Sequence, residues 1–268
     1  MPGQPEELPE FDDPPVVEVV LGVQFEHIKG LRGPVLASWE DIRARLPEWT
    51  EHEPVDLRTE LSGPVRRKTP EVRLIFAGLP QIRSWFTNEA GIELLQIQQD
   101  FFAKNWRRID CEYPRYPTLR AQFERDYLSL ERLVGAKLDE TIVPIQCEIT
   151  YINRISLTDI SLHDVMVGWS GMPAAGFLPL DSDTFEIAQS FQMKGLSPSQ
   201  AGRLHIHAQK AQRDDESFLV LNLTARGTPL SENADGVMTW FDLAREWIVR
   251  GFADVTDSAA HHHWKRTQ

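Results

Sequence analysis

The sequence has only two cysteines, Cys111 and Cys147, among 268 residues. Two thiols are too few for a disulfide framework, and their number and spacing do not suit a thiolate zinc site. The chain also lacks an apolar run of the roughly 20 residues that a helix needs to cross a bilayer. Its N-terminus has neither the basic start nor the apolar stretch of a secretory signal. These absences predict a cytoplasmic protein with reduced thiols and no membrane association.

The signatures of common enzyme classes are missing as well. Neither G-x-x-x-x-G-K-[ST] nor G-x-G-x-x-G occurs at a strand-to-helix junction, which excludes a P-loop nucleotide hydrolase. Residues 168–171 (Gly-Trp-Ser-Gly) superficially resemble a nucleophile elbow, but Met172 stands where the motif requires a second glycine. The sequence therefore predicts no cofactor and favours a protein that is not an enzyme.

Charge is distributed unevenly around a net value of −12. Residues 1–13 hold five acids, several prolines and no base, a composition that predicts a flexible leader. Between Arg58 and Arg125 the balance reverses, with 12 basic residues against 8 acidic ones. The overall charge argues against general phosphate binding, but this middle region leaves an anionic partner open.

The residue pattern predicts two similar halves. In residues 14–138, period-2 alternation at 17–25 predicts a lead strand, 36–46 a short helix, and 72–77, 82–88 and 93–107 the strands of a meander. Residues 48–69 are expected to form a loop or an irregular strand. An apolar stripe from Pro117 to Val134 then predicts an amphipathic helix.

Residues 139–257 repeat this order, with a lead strand at 145–154, strands at 185–193, 203–209 and 217–225, and a helix that ends near Phe252. The prediction is an α+β fold of two pseudo-repeated units. Each unit is a lead strand plus an antiparallel meander covered by a long C-terminal amphipathic helix, because such a helix buries its stripe only against a sheet. Residues 258–268 are expected to be a tail, and a cleft is expected between the halves.

Short motifs are spread over nearly the whole chain: the segment 14–20 (Pro-Pro-Val-Val-Glu-Val-Val) with Phe25, 105–107 (Asn-Trp-Arg), 116–117 (Tyr-Pro), 151–153 (Tyr-Ile-Asn) and Trp264. Together they resemble a sporadically distributed bacterial family of uncharacterised proteins of similar length. That family has no established activity, so the resemblance implies no catalytic residues here. Its patchy distribution implies a mobile-element or defence-linked context.

Basic and aromatic residues interleave between positions 66 and 116. The candidate binding residues are Arg66, Arg67, Arg73, Trp85, Trp106, Arg107, Arg108 and Arg115. Single-stranded nucleic acid or a nucleotide needs such cations and stacking surfaces. The same aromatic residues also suit a core between sheet and helix, with the arginines lying along its edge.

His205 and His207 lie two apart on a predicted strand, so both imidazoles face one side, as two zinc ligands would. A plain solvated strand face has the same pattern. Three hypotheses result: a non-enzymatic recognition protein that binds a protein partner or a small ligand between its halves, a nucleic-acid or nucleotide-binding component, and a metal-dependent hydrolase that uses the histidine pair.

Overall fold

The computed structural model of the chain describes residues 7–60, 82–158, 160–167, 183–194 and 201–267. Within these ranges the strands are β1 (Val16–Phe25), β2 (Glu48–His52), β3 (Arg83–Thr87), β4 (Glu93–Gln98), β5 (Phe101–Arg107), β6 (Pro144–Ser156), β7 (Glu186–Gln192), β8 (Gly202–Arg213) and β9 (Glu216–Gly227). The helices are α1 (Gly33–Ala37), α2 (Glu40–Arg45), α3 (Tyr116–Leu138), α4 (Leu162–Val165), α5 (Ala234–Val255) and α6 (Ser258–His263). None of these helices is both long and apolar enough to span a membrane.

The strands form one antiparallel sheet in the order β2-β3-β4-β5-β1-β6-β9-β8-β7. The lead strands β1 and β6 are neighbours at its centre, with Leu21 opposite Ile149. β5, the last strand before α3, pairs with β1, and β9, the last strand before α5, pairs with β6. The predicted α+β class with antiparallel strands is therefore confirmed, and the strands of both halves belong to one large sheet; the duplication of the two halves stays a prediction.

The core lies between one face of this sheet and the two long helices. Successive side chains of a strand point to opposite faces, so Leu21, Val23 and Phe102 share the buried side. Phe102 contacts Phe123 of α3 at a centroid distance of 5.3 Å, and Phe123 meets Phe241 of α5 at 5.0 Å. Burial of one such side chain stabilises the fold by about 2 kcal/mol. The aromatic chain thus joins the sheet to α3 and α3 to α5.

A buried cluster of charges fixes α3 on the sheet. The Lys104 ammonium on β5 lies 2.8 Å from the Asp126 carboxylate of α3 and 2.7 Å from that of Glu93 on β4. Asp126 is fully buried and also accepts hydrogen bonds from Arg45 and Arg125. The two buried charges of this cluster, Lys104 and Asp126, therefore each contact an opposite charge, which is the condition for burying ions at all.

Residues 36–46 do not form the single helix that the apolar spacing predicts. α1 ends at Ala37 and α2 begins at Glu40, and Trp39 between them has a non-helical ψ of 74°. The Trp39 indole N–H donates to the Ser129 hydroxyl of α3 at 2.9 Å, and the ring is buried. A contact across 90 residues thus breaks the helix, because the indole must turn inward.

Residues 7–13 and 258–267 are more ordered than the sequence suggests. Residues 1–6 of the predicted leader lie outside the described residues, but Phe11 is buried and its ring meets that of Phe252 at 5.3 Å. Phe11 also forms a β-bridge with Arg266. In the predicted tail, α6 forms and Trp264 is buried. The rings of Phe11 and Trp264 contact each other. The acidic composition around residue 11 does not predict this contact.

Candidate functional site

The predicted basic and aromatic residues do not form one cluster. Arg66, Arg67 and Arg73 lie outside the described residues. Trp85 and Arg107 lie on the sheet face opposite α3 and α5, which we call the polar face. Trp106 is buried on the helix-covered side, where its ring packs against Tyr113. Arg108 and Arg115 hold the chain near residues 11–14: their side chains donate to the carbonyls of Pro14, Phe11 and Asp12.

Trp85 is surrounded by cationic and aromatic groups on the polar face. The Arg83 and Arg107 guanidiniums lie 5.1 and 5.8 Å from its ring centroid, within cation–π range. The His52 ring lies closer still, at 3.9 Å. Trp85 itself is half-buried. Of the predicted binding residues, Trp85 and Arg107 thus lie together, and the Trp85 ring already contacts other side chains of the protein.

A row of hydrogen-bonded side chains continues from Arg83 across the polar face. Arg83 donates to the Gln96 carbonyl at 3.0 Å, and the Gln96 amide donates to Asn105 at 2.7 Å. Asn105 in turn donates to the Glu18 carboxylate at 2.6 Å, which also lies 3.5 Å from Arg107 Nε. Gln96 and Asn105 are buried. The row gives the polar face a fixed hydrogen-bond pattern over four strands.

Residues 53–60 cross the polar face and are held by three buried glutamines on three strands. Gln98 accepts from the Val55 amide, and Gln24 and Gln146 both donate to the Arg58 carbonyl. Gln146 also accepts from the Glu60 amide at 2.5 Å. The glutamine side chains therefore hydrogen-bond the backbone of a segment that belongs to none of the described strands.

The two histidines predicted as metal ligands belong to this region. His205 lies 2.8 Å from a Glu60 carboxylate oxygen and 2.9 Å from the Ser190 hydroxyl, and His207 lies 2.9 Å from Glu186. Across the described ranges no group of three His, Cys, Asp or Glu residues is arranged to hold a metal ion. In this arrangement each imidazole hydrogen-bonds a carboxylate.

A cavity of about 440 Å³ lies on the helix-covered side, and we call it the inter-half pocket. Its walls come from both predicted halves and from residues 9–14. Its apolar lining residues include Phe11, Val16, Leu223, Ile248, Val249 and Phe252. Its size and its mostly apolar walls are those of sites for small organic molecules.

One end of the inter-half pocket is polar. The hydroxyls of Tyr113 and Tyr151 hydrogen-bond each other at 3.1 Å. Burial raises the pKa of both phenols, so both stay neutral at physiological pH. Arg245 of α5 also lines this end, with its guanidinium 5.4 Å from the centroid of the Tyr116 ring.

The hydroxyl of Tyr116, at the start of α3, already donates a hydrogen bond within the protein. It donates to the Asp242 carboxylate of α5 at 2.7 Å, and Arg120 donates to the same oxygen at 2.9 Å. Burial and the nearby Asp242 carboxylate raise the pKa of Tyr116 far above its usual range. These bonds tie α3 to α5 beside the pocket and hold its rim in place.

Sequence reasoning missed Tyr151 and Arg245, whereas Tyr113 and the candidate residue Arg115 belong to the predicted basic and aromatic region and line this pocket. The alternation at 145–151 predicts Tyr151 on a strand, but this pattern does not indicate that its side chain faces a cavity. Arg245 lies four residues after Phe241 and three before Ile248, at the edge of the apolar stripe. An arginine at the edge of an apolar stripe is the sequence feature that could have indicated a binding role for Arg245.

The chain matches no protein-family model, no curated protein and no solved structure. The indications of function therefore come from the geometry described above.

Proposed function

We propose that this chain is a non-enzymatic recognition protein that binds a small organic ligand in the inter-half pocket. The observation that carries the proposal is the composition of the pocket walls: Tyr113 comes from residues 14–138, and Tyr151, Leu223 and Arg245 come from residues 139–257. Binding sites occur preferentially where two structural units meet. The alternative to a small ligand in this pocket is a side chain of a protein partner.

Several of the lining residues are held by regular structure. Tyr151 and Leu223 lie on central strands of the sheet, and Arg245 and Ile248 lie on a 22-residue helix. Groups on strands and helices are positioned more precisely than groups on loops. The pocket thus offers a preformed apolar surface with few polar groups, which lowers the entropic cost of binding.

The internal duplication and the family resemblance are part of the same proposal. In support of duplication, β1 and β6 each pair with the last strand before the following long helix. We extend the proposal to a cytoplasmic location and to the mobile-element or defence-linked context that the resemblance implies.

The test uses N-phenyl-1-naphthylamine, a neutral apolar dye that fluoresces when it leaves water. We expect saturable enhancement with one site per chain. Val249→Trp, which places an indole in the pocket, should weaken binding at least tenfold. Thr239→Trp adds the same indole to an exposed position of α5 outside the pocket and should leave binding unchanged. Equal binding by both variants would show that the dye binds elsewhere.

A second candidate function is binding of single-stranded nucleic acid at Trp85. The observation that favours it is the pair of guanidiniums near that ring. Titration with a fluorescent deoxythymidine oligomer tests it, and Trp85→Leu should reduce affinity about tenfold if a base stacks there. Retained affinity in this variant would remove the candidate.

A further inference from the structure

Arg245 places a cation at the wall of the inter-half pocket. Within the described ranges its guanidinium forms no ion pair, and its buried Nε donates no hydrogen bond. The nearby Asp242 carboxylate is instead bonded to Tyr116 and Arg120. A guanidinium has five N–H donors, so the terminal nitrogens of Arg245, which lines the pocket, keep donors for an acceptor that enters it.

The tyrosine pair supplies a second donor. In a hydrogen bond between two hydroxyls, one O–H donates and the other keeps its proton for a further acceptor. Tyr113 and Tyr151 form such a pair at 3.1 Å, and no other hydrogen bond to either hydroxyl is present in the described part of the chain. One phenol proton is therefore free to bind an oxygen of a ligand.

The charged residues of the lining favour an anion. The lining holds two guanidiniums, Arg115 and Arg245, and one carboxylate, Glu10, which is exposed. Arg115 donates to two backbone carbonyls, which orient its guanidinium without neutralising it. The described lining thus has a net charge of +1 in a protein whose net charge is −12.

We propose that the ligand of the inter-half pocket is an organic anion with an apolar body, its carboxylate bound by Arg245 and the free tyrosine O–H. The body lies along Leu223, Ile248 and Phe252, which are apolar and buried. Arg245 is a binding residue in this assignment, and the inference rests on the proposed function. Guanidinium–carboxylate hydrogen bonds are about twice as strong as neutral ones, so the anion sets the specificity.

The experiment compares 4-phenylbutanoate with 4-phenyl-1-butanol, which differ only in the head group. Each displaces N-phenyl-1-naphthylamine from the wild-type protein at pH 7. We expect the acid to bind at least tenfold more tightly than the alcohol. In Arg245→Gln, with each affinity corrected for that variant's own dye affinity, this preference should fall to less than threefold. Arg132→Gln, the same change at an exposed residue of α3 outside the pocket, should keep the full preference.

The outcomes separate the two proposals. Equal affinity of acid and alcohol for the wild type, with the dye still blocked by Val249→Trp, would overturn the anion assignment and leave the binding function standing. A full preference retained in Arg245→Gln would overturn the role of Arg245. Dye binding that is indifferent to Val249→Trp would overturn both. Thermal unfolding of each variant identifies any loss of folding. If Arg245→Gln does not fold, Arg245→Lys decides the assignment, because it retains the charge and should preserve most of the preference for the acid.

Discussion

Replacing Lys104 and Asp126, singly and together, measures how the buried charges hold α3 on the sheet. The Lys104 side chain is 3% exposed, and that of Asp126 is fully buried. Removal of one member of a buried ion pair typically costs about 3–5 kcal/mol of the free energy of unfolding, since the other charge loses its compensation. Their neighbours reduce this cost to different degrees.

The Lys104→Met variant leaves Asp126 in contact with Arg45 and Arg125. We therefore expect a loss of about 2 kcal/mol, the value of one charge-assisted hydrogen bond. Asp126→Leu leaves the Lys104 ammonium buried with Glu93 alone, so we expect about 3 kcal/mol. The double variant retains neither buried charge and should lose about 2 kcal/mol rather than the additive value of about 5 kcal/mol.

Urea unfolding followed by tryptophan fluorescence gives the four free energies of this cycle. Glu216→Gln is the control, because it removes the carboxylate from the surface pair with Arg154, whose side chains are 47% and 36% exposed. We expect it to cost less than about 0.5 kcal/mol. Losses in the double variant that equal the sum of the single losses within about 0.5 kcal/mol would refute the coupling.

Two further predictions concern pH. Burial raises the pKa of Glu60, but hydrogen bonds from His205 and Arg203 outweigh it, so its pKa lies below the ordinary 4.5. The Glu60 carboxylate therefore stabilises the fold above pH 4.5, and this stabilisation is lost as pH falls through the folded-state pKa. In a plot of the urea midpoint against pH, Glu60→Gln should show a smaller decrease at acid pH than the wild type. An unchanged acid slope in this variant would contradict the prediction. Burial also raises the pKa of all four tyrosines, Tyr113, Tyr116, Tyr127 and Tyr151. Absorbance at 295 nm should therefore show no phenol that ionises near pH 10 until the chain unfolds. The free energy of unfolding should decrease above about pH 10, because the unfolded state releases these protons. A reversible phenol titration near pH 10 in the folded protein would refute this prediction.

Elements with a strong period were predictable from the sequence. α3 begins one residue before Pro117, and α5 begins at Ala234, where the Asn233 side chain accepts from the Gly236 amide as an N-cap. The sequence left β2 open, because residues 48–69 were expected to form a loop or an irregular strand and the five residues of β2 have no buried face. It exists through pairing with β3, whose Trp85 lies opposite Thr50. Edge strands of this kind depend on a partner that local pattern does not reveal.

The inter-half pocket depends on an irregularity of the same kind. Strict alternation along β1 directs Val17 and Val19 inward, yet Val16 is 2% exposed and Val17 is half-buried. A register shift between Val16 and Glu18 places Val16 opposite Asn153, and both residues line the pocket. A bulge inserts one residue and re-aims the side chains before it, and bulges are frequent beside functional sites. The sequence holds no signal for this shift, because Val16 and Val17 are identical side chains and either one suits the core; the pocket wall at this point is therefore decided by the pairing of β1 with β6.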